Sequence, residues 1–491
     1  MNNTFIFSIL LIILFSSCYK EEVLFDSEPN NFLELDLILK INNKDCSFDR
    51  QTNTLRYPVD KPVIKNFEAF IEFQEYSTVY FNNLPLLNNR INDLGLIEIN
   101  KDYNLRIITN NVVKELIIQF TILPIIQIIT HDNIVDEPKM LARILVNDPL
   151  NTFGTSYIGI EHKGESSQAY PKKSFLFSFL DSQFTNDIIS KSIFNLPKNS
   201  HWWLDAMFID PSRLRNKFAF DLWRQFEGFR NYGIHSFFVE LYINSEHQGL
   251  YCLNENLNSE LLEMTSDYAL LYKAIDWDGP NFAVYSPVVS TNKFWNNWEQ
   301  KFPNPLDKID WGDIMFLTDL VVNSIDSSFV SQIHELISID NFIDYHILLN
   351  LISALDNTGK NNFLARNFGE DPFFMIPWDL EGSFGLMANG DYVDPTHILS
   401  NKLYDRLFQL NPANFKNRLT SRWLNLRADI LSINNLMNTL ENNFNYLDIS
   451  DIILIENREW NLDINILEEK ERISNWLYYR VNFLDNYYLN L

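Results

Sequence analysis

The sequence predicts an α+β protein in which an all-β segment comes first, a β-rich lobe second and a helical lobe last. Three patterns carry this prediction. Apolar and polar residues alternate from about Phe32 to Leu123; strand-like runs and a hairpin pattern follow; and apolar residues recur at helical spacing from about Ile309 onward. Length and composition agree with it. The 491 residues correspond to roughly three domains at ~150 residues each, or to one large fold with an appendage. A hydrophobic content of 46% can fill a sizeable core, and 21% charged residues are too few for a solvated polyelectrolyte. With 39 basic against 64 acidic residues the net charge is −25, which leaves no basic footprint, so no nucleic-acid partner is expected.

The N-terminus carries an apolar run, Phe5 to Phe15, then Ser16 and Ser17, then Cys18: the h-region and small-residue site of a secretory signal. The run is shorter than the ~20 apolar residues of a spanning helix. A cysteine directly after the small pair resembles the lipobox of bacterial lipoproteins. That resemblance implies a signal peptide over 1–17, lipidation of Cys18 and a tether over 18–31. Tyr19-Lys20-Glu21-Glu22 is similar to the surface-export tag of Bacteroidetes-type lipoproteins. The implied location is the outer membrane, on its periplasmic or surface side, with membrane contact through the lipid anchor. Cys46 and Cys252 are too few and too scattered for a disulfide scaffold.

Residues 32–122 are predicted as an immunoglobulin-like β-sandwich. Leu33, Leu35, Leu37 and Leu39, then Tyr80, then Leu116, Ile118 and Phe120 mark half-buried strands separated by Asn and Pro clusters. Nothing in this segment has catalytic chemistry, so it is expected to act as a spacer or binding module. A boundary falls near Leu123-Pro124.

From there to the C-terminus, 123–491, the strands expected first are 125–130, 141–146, 157–162 and 174–179. Between the last two lies Lys163-Gly164-Glu165-Ser166-Ser167-Gln168-Ala169-Tyr170-Pro171-Lys172-Lys173. A strand, a turn with Gly and two serines, and a strand preceded by lysine can cover phosphates with N–H groups and hydroxyls while the lysine meets their charge. A plain polar hairpin is the alternative. Asp210-Pro211-Ser212, followed by Leu214, Phe218 and Leu222, predicts a helix to about Phe226. Two apolar runs, 237–243 and 249–253, predict a hairpin. The region 274–308 has mixed polarity, and helices are expected over 342–355, 404–410, 418–431, 436–444 and 468–487.

The sharpest chemistry lies at Asp356-Asn357-Thr358-Gly359-Lys360-Asn361 and Trp378-Asp379-Leu380-Glu381. Asp356 and Asn361 stand at the offset of the catalytic Asp and the metal-binding Asn in the protein-kinase H-R-D-x-x-x-x-N element. One strand-like run later, Asp379 occupies the place of the kinase aspartate that holds Mg²⁺. One carboxylate to accept a hydroxyl proton, with Asn and a second carboxylate as oxygen ligands, suits a hard cation.

Taken together these blocks resemble the spore-coat-protein-H (CotH) kinase-like family, from Leu123 to the C-terminus. The others are Lys163-Gly164-Glu165-Ser166-Ser167 with Pro171-Lys172-Lys173; Leu196-Pro197-Lys198 before Trp202-Trp203-Leu204; Asp210 with Leu214-Arg215-Asn216; and Val239 to Asn244 running to Glu255. The resemblance implies an atypical protein-kinase-like two-lobed fold using ATP and Mg²⁺ to phosphorylate serine or threonine of a secreted or surface protein. It makes Asp356 the base, Asn361 and Asp379 the metal ligands, Ser166 and Ser167 part of the loop over the phosphates, and Lys172 the phosphate-pairing lysine, with Lys173 in reserve. Three departures stand out. Glu165 replaces the family's Asn, Glu381 its second Asp, and no helix glutamate is matched to the kinase lysine. The rival reading is a non-catalytic surface adhesion or scaffold protein, separated from the enzyme by nucleotide binding. Cys18→Ala is expected to move the protein from the detergent phase to the aqueous phase, or to hold it as precursor, in a detergent-partitioning assay; unchanged partitioning removes the anchor.

Overall fold

A computed structural model describes residues 23–24, 39–150, 152–164, 166–185, 187–226, 228, 231–387 and 389–491. Cys18 and its tether other than Val23–Leu24, Leu33, Leu35 and Leu37 of the expected first strand, Glu165, and the side chain of Ser166 lie outside the described residues. The architecture is α+β, as predicted.

From Leu39 to Thr121 the chain forms strands joined by turns. A six-stranded sheet runs Ser47–Asp49, Thr54–Pro58, Val112–Thr121, Tyr103–Thr109, Ser77–Phe81, Leu84–Pro85. A four-stranded sheet runs Arg90–Asp93, Glu68–Glu72, Lys40–Ile41, Lys44–Asp45, and both contribute to one apolar core. Alternation decides which side chains enter it: Leu116, Ile118 and Phe120 are buried. The Phe120 ring meets Tyr57, Phe67 and Tyr103 edge-on at 6.3, 5.6 and 5.7 Å.

The next seven strands are β1 (Ile125–Ile129), β2 (Lys139–Asn147), β3 (Thr152–Lys163), β4 (Ser174–Leu180), β5 (His201–Asp205), β6 (Ser236–Ile243) and β7 (Glu246–Glu255). They follow the order β2-β1-β6-β7-β5-β4-β3, and β3 pairs back onto β2, so the sheet closes into a ring. Closure was not expected from the sequence, because it is set by non-local pairing. The pattern of period two nevertheless determines its filling. Phe175, Phe177 and Phe179 of β4 and Trp202 and Leu204 of β5 fill the interior, whereas Trp203 belongs to the core outside the ring. The β6–β7 turn is Asn244-Ser245, both with positive φ (50° and 63°), the backbone that a two-residue hairpin needs.

Against the outer face packs α1 (Arg215–Gln225), with Phe218, Leu222 and Trp223 in the same core as Trp203, Phe238 and Leu250. The helix begins five residues later than Asp210. Arg213 is left-handed (φ 56°), and the Asp210 carboxylate accepts instead from Ser212 and from the Arg215 N–H at 2.9 Å. Just before the mixed-polarity stretch lies a strand, β8 (Leu270–Ala274), and within the stretch lies β9 (Trp298–Phe302). With Phe294–Trp295, β10 (Asn362–Arg366) and β11 (Phe374–Pro377) they form a five-stranded antiparallel sheet. Helices α2 (Gly312–Asn323), α3 (Asp326–Leu336), α4 (Ile339–Ile352), α5 (Lys402–Leu410), α6 (Phe415–Ala428), α7 (Ile433–Ile449), α8 (Ile452–Trp460) and α9 (Ile466–Leu489) complete the chain. Among the described residues no helix is long and apolar enough to cross a membrane.

With only 14 glycines in the chain, left-handed turn positions fall to asparagine, whose short polar side chain tolerates them. Seventeen of the thirty described non-glycine residues with positive φ are asparagine. Because Phe177 is fully buried inside the ring, Phe177→Ala is expected to lower unfolding stability by about 3–5 kcal/mol, seen as a reduced urea midpoint at unchanged slope.

Candidate functional site

The hairpin β10–β11 builds the site. Its strands are antiparallel with Asn362 opposite Pro377, so the residue before β10 and the residue after β11 must lie side by side. The Trp378 N–H accordingly donates to the Asn361 carbonyl at 3.1 Å. Asn357 fastens the junction, its amide donating to the carbonyls of Asn361 (2.5 Å) and Trp378 (2.7 Å). The Tyr345 hydroxyl, from α4, donates to the Asn357 carbonyl at 2.8 Å. Asp356, Asn361 and Asp379 are thereby gathered. Asn361 and Asp379 both take left-handed backbone (φ 55° and 53°), an arrangement that recurs where a chain is held for function rather than for economy.

Asp356 sits on a 3₁₀ turn, Asp356–Thr358, with its side chain 32% exposed and Lys360 Nζ 3.2 Å from Oδ2. The turn is tight against Trp277: a Cβ on Gly359 would come within 2.6 Å of the indole. Asp379 is half-buried, and among the described residues no group donates a hydrogen bond to its carboxylate. Burial and the neighbouring Asp205 and Asp356 carboxylates raise its carboxyl above the ordinary range, against the opposing pull of Lys163 and Lys273. Glu381 is pushed up further, by burial and by Asp379 and Asp205.

Two of these charges come from the ring. On β5 the alternation that sends Trp202 and Leu204 inward turns Trp203 and Asp205 outward. Asp205 accepts from the Met207 N–H (2.9 Å) and from Asn216 Nδ2 (3.0 Å), and Asn216 Oδ1 accepts from the Leu380 N–H (3.0 Å). Asn216, on α1, therefore ties the ring to the segment just after Asp379. Lys163 ends β3. Its ammonium lies 3.2 Å from the Trp203 ring centre and 4.5 Å from that of Trp378, buried and without a hydrogen-bond partner among the described residues. Burial and Lys273 depress its pKa well below the lysine value, although Asp379 and Asp205 oppose them.

The polar turn is held closed by its own residues. Gly164 is left-handed (φ 99°), and a Cβ there would meet Ser167 Oγ at 1.9 Å. Ser167 Oγ donates to the Lys163 carbonyl at 3.2 Å, and Lys173 Nζ donates to the carbonyls of Gln168 and Tyr170 at 2.5 Å each. Lys172 is fully enclosed, bound to the Leu250 carbonyl and to Glu456 Oε1 at 2.6 Å; burial pulls it down to about 8 even with that carboxylate against it. The charges acting most on Lys172 are Glu456, Arg213 and Glu459, not those around Asp379. The structure thus joins Asp356, Asn361 and Asp379 but places Lys172 in a second cluster, where its ammonium is committed to protein acceptors. The carboxylate that meets Lys172 there is Glu456 of α8. Lys163, Asp205, Asn216 and Lys273 were missed as site residues. The signal for Asp205 was the alternation through Trp202-Trp203-Leu204, and for Lys163 its basic position at the head of the turn. Among the described residues no three carboxylate, imidazole or thiol groups converge as a ready-made metal centre.

The family described as CotH kinase protein matches residues 160–484, and the chain belongs to that family. It is 24% identical to the inner spore coat protein H of Bacillus subtilis (strain 168) over 245 residues, 49% of this chain and 62% of that protein. The match therefore spans less than two thirds of the relative's length. Because Glu456 is the carboxylate of the second cluster, Glu456→Ala leaves Lys172 buried without its counter-charge. A loss of about 3–5 kcal/mol in denaturant unfolding is expected.

Proposed function

We propose that this protein is an extracytoplasmic atypical protein kinase that transfers the γ-phosphate of ATP to serine or threonine of a secreted or surface protein. The observation that carries the reading is the β10–β11 hairpin, which sets the half-exposed Asp356 carboxylate and Asn361 beside Asp379. Family membership supports it, as does the succession of a β-rich part and a helical part along the chain. The extracytoplasmic placement rests on the Cys18 motif.

The residues present fit Mg²⁺ and ATP. Magnesium in phosphoryl-transfer sites uses one or two carboxylates and completes its shell with phosphate and water, so a three-residue cage is not required. Asp379, with a carboxylate that takes no protein donor among the described residues, and Asn361 would hold the ion. The unpartnered Lys163 ammonium, rather than Lys172, is the cation available to phosphate. When bound, ATP and Mg²⁺ supply the phosphoryl group and neutralise its charge. Asp356 orients the acceptor hydroxyl and takes its proton as the oxygen–phosphorus bond forms and the bond to the ADP oxygen breaks. Lys360 Nζ, 3.2 Å from Oδ2, forms an ion pair with that carboxylate. Asn216 and Asn357 fix the segments that carry Asp379 and Asp356. The rival reading, a non-catalytic scaffold, draws support from the enclosure of Lys172 and is separated by the same tests.

Asp379→Asn is expected to abolish the Mg²⁺-dependent thermal shift given by millimolar ATP while leaving the fold intact. Asp356→Asn should keep that shift and lose phosphoryl transfer by on the order of 10²–10⁴-fold in a radiolabel assay. Lys163→Met should weaken the shift; a wild-type protein that shows none favours the scaffold.

A further inference from the structure

The N-terminal β-module is seated on the rest of the chain at several points. Lys44 Nζ donates to the Asp148 carbonyl (2.5 Å) and Asn147 Nδ2 to the Asp45 carbonyl (2.6 Å). The Arg50 N–H donates to the Ser245 carbonyl (3.0 Å), and Asn100 Nδ2 to the Ile449 carbonyl (3.1 Å). At the centre is a buried pair. Arg56 of the module pairs with Glu240 of β6, Nη2 donating to Oε1 at 2.8 Å and Nε lying 2.7 Å from Oε2 as an ion pair, with side chains 5% and 0% exposed.

The pair continues into a chain of charges. Glu240 Oε2 also faces His247 Nε2 at 3.1 Å, while His247 Nδ1 faces Glu459 Oε1 on α8 at 2.9 Å. A neutral imidazole has one N–H, so it cannot donate to both carboxylates; the geometry selects the imidazolium. One turn back on α8, Glu456 accepts from the Leu250 N–H (2.7 Å) and from Lys172 (2.6 Å), the residue that closes the polar turn before β4. Trp460 of the same helix donates to the Gln248 carbonyl at 3.2 Å. A spacer needs none of this.

We propose that the module is a positioning part of the catalytic body: Arg56 latches it onto Glu240, His247 carries the latch to α8, and α8 through Glu456 fixes the turn 164–173. That the turn then serves ATP rests on the kinase reading; the latch itself does not.

The charges facing His247 from the packed elements are Glu240 on β6, Glu459 on α8 and Arg56 of the module, with the Tyr242 ring 4.6 Å away. Burial lowers the His247 pKa, but the two carboxylates outweigh it and raise the imidazole to about 9. Its contribution is complete below the unfolded value of about 6.5 and is lost as pH rises through about 9. Burial likewise opposes the charge on Glu240, but Arg56 and His247 hold that carboxyl down at about 2. Its share is present above the unfolded value of about 4.3 and is lost as pH falls toward about 2.

The test uses the full chain with Arg56→Met, and with Arg56→Met combined with Glu240→Gln, a pair that removes both charges and leaves no orphaned carboxylate. Hydrogen exchange near pH 6 is expected to speed up by about tenfold in α8 and in 164–173 in both variants, with α5 and α6 unchanged. The KM for ATP should rise by about tenfold with kcat within about twofold, and Arg56→Lys should restore part of the protection. Unchanged exchange in α8 and the turn of the double variant overturns the latch, as does loss confined to the module. If the wild type neither shifts with ATP nor transfers phosphate, the kinase reading fails, and the exchange data still decide the latch.

Discussion

One backbone register organises the candidate site: Asn362 opposite Pro377. Once β10 and β11 pair this way, Asn361 and Trp378 become neighbours without any side-chain persuasion, and the two aspartates on either side follow. Slipping the pairing by one residue would turn every side chain of the hairpin to the other face. The surroundings guard against that slip. Asn357 bonds both carbonyls of the junction, and α4, buried along nearly its whole length, presents Tyr345 beneath it.

The ring contributes by a different rule. A strand has two faces, and here one face of β5 fills an apolar interior while the other carries Trp203 and Asp205. The apolar filling fixes the strand, and the fixed strand aims the charge. The result is two buried charge clusters on one sheet system: Lys163 with Asp205 and Asp379, and Lys172 with Glu456, Arg213 and Glu459. Around Lys163 the ammonium lacks a hydrogen-bond acceptor among the described residues; the Lys172 ammonium donates to Glu456 and to the Leu250 carbonyl, and Arg213 also pairs with Glu456. Unpaired buried charge is costly to maintain, so the Lys163 cluster is the one that a charged ligand would stabilise.

Local signals were legible and distant ones were not. Phe175, Phe177 and Phe179 announced β4, and the spacing of Asp356, Asn361 and Asp379 announced a site because a hairpin is built from neighbours in sequence. The β8 strand escaped notice because it is buried on both faces and has no alternation to read. Lys163 and Lys172 flank the same turn, and what separates them is Glu456, 284 residues beyond Lys172. No periodicity near the turn encodes so remote a partner. Closure of the ring, made by β3 returning to β2, was hidden for the same reason.

The asparagine turns have a consequence for the protein's lifetime. Asparagine amides are among the thermolabile groups of a polypeptide, and here they hold bends that glycine usually takes. Hydrolysis of one such amide adds a negative charge to a chain already at −25 and replaces the side chain's NH2 donor with an acceptor-only carboxylate. Asn361 and Asn244 are in this class, one beside Asp379 and the other in the β6–β7 turn next to the module's seat on Ser245. These bends are chemical weak points of a kind that the apolar core does not share.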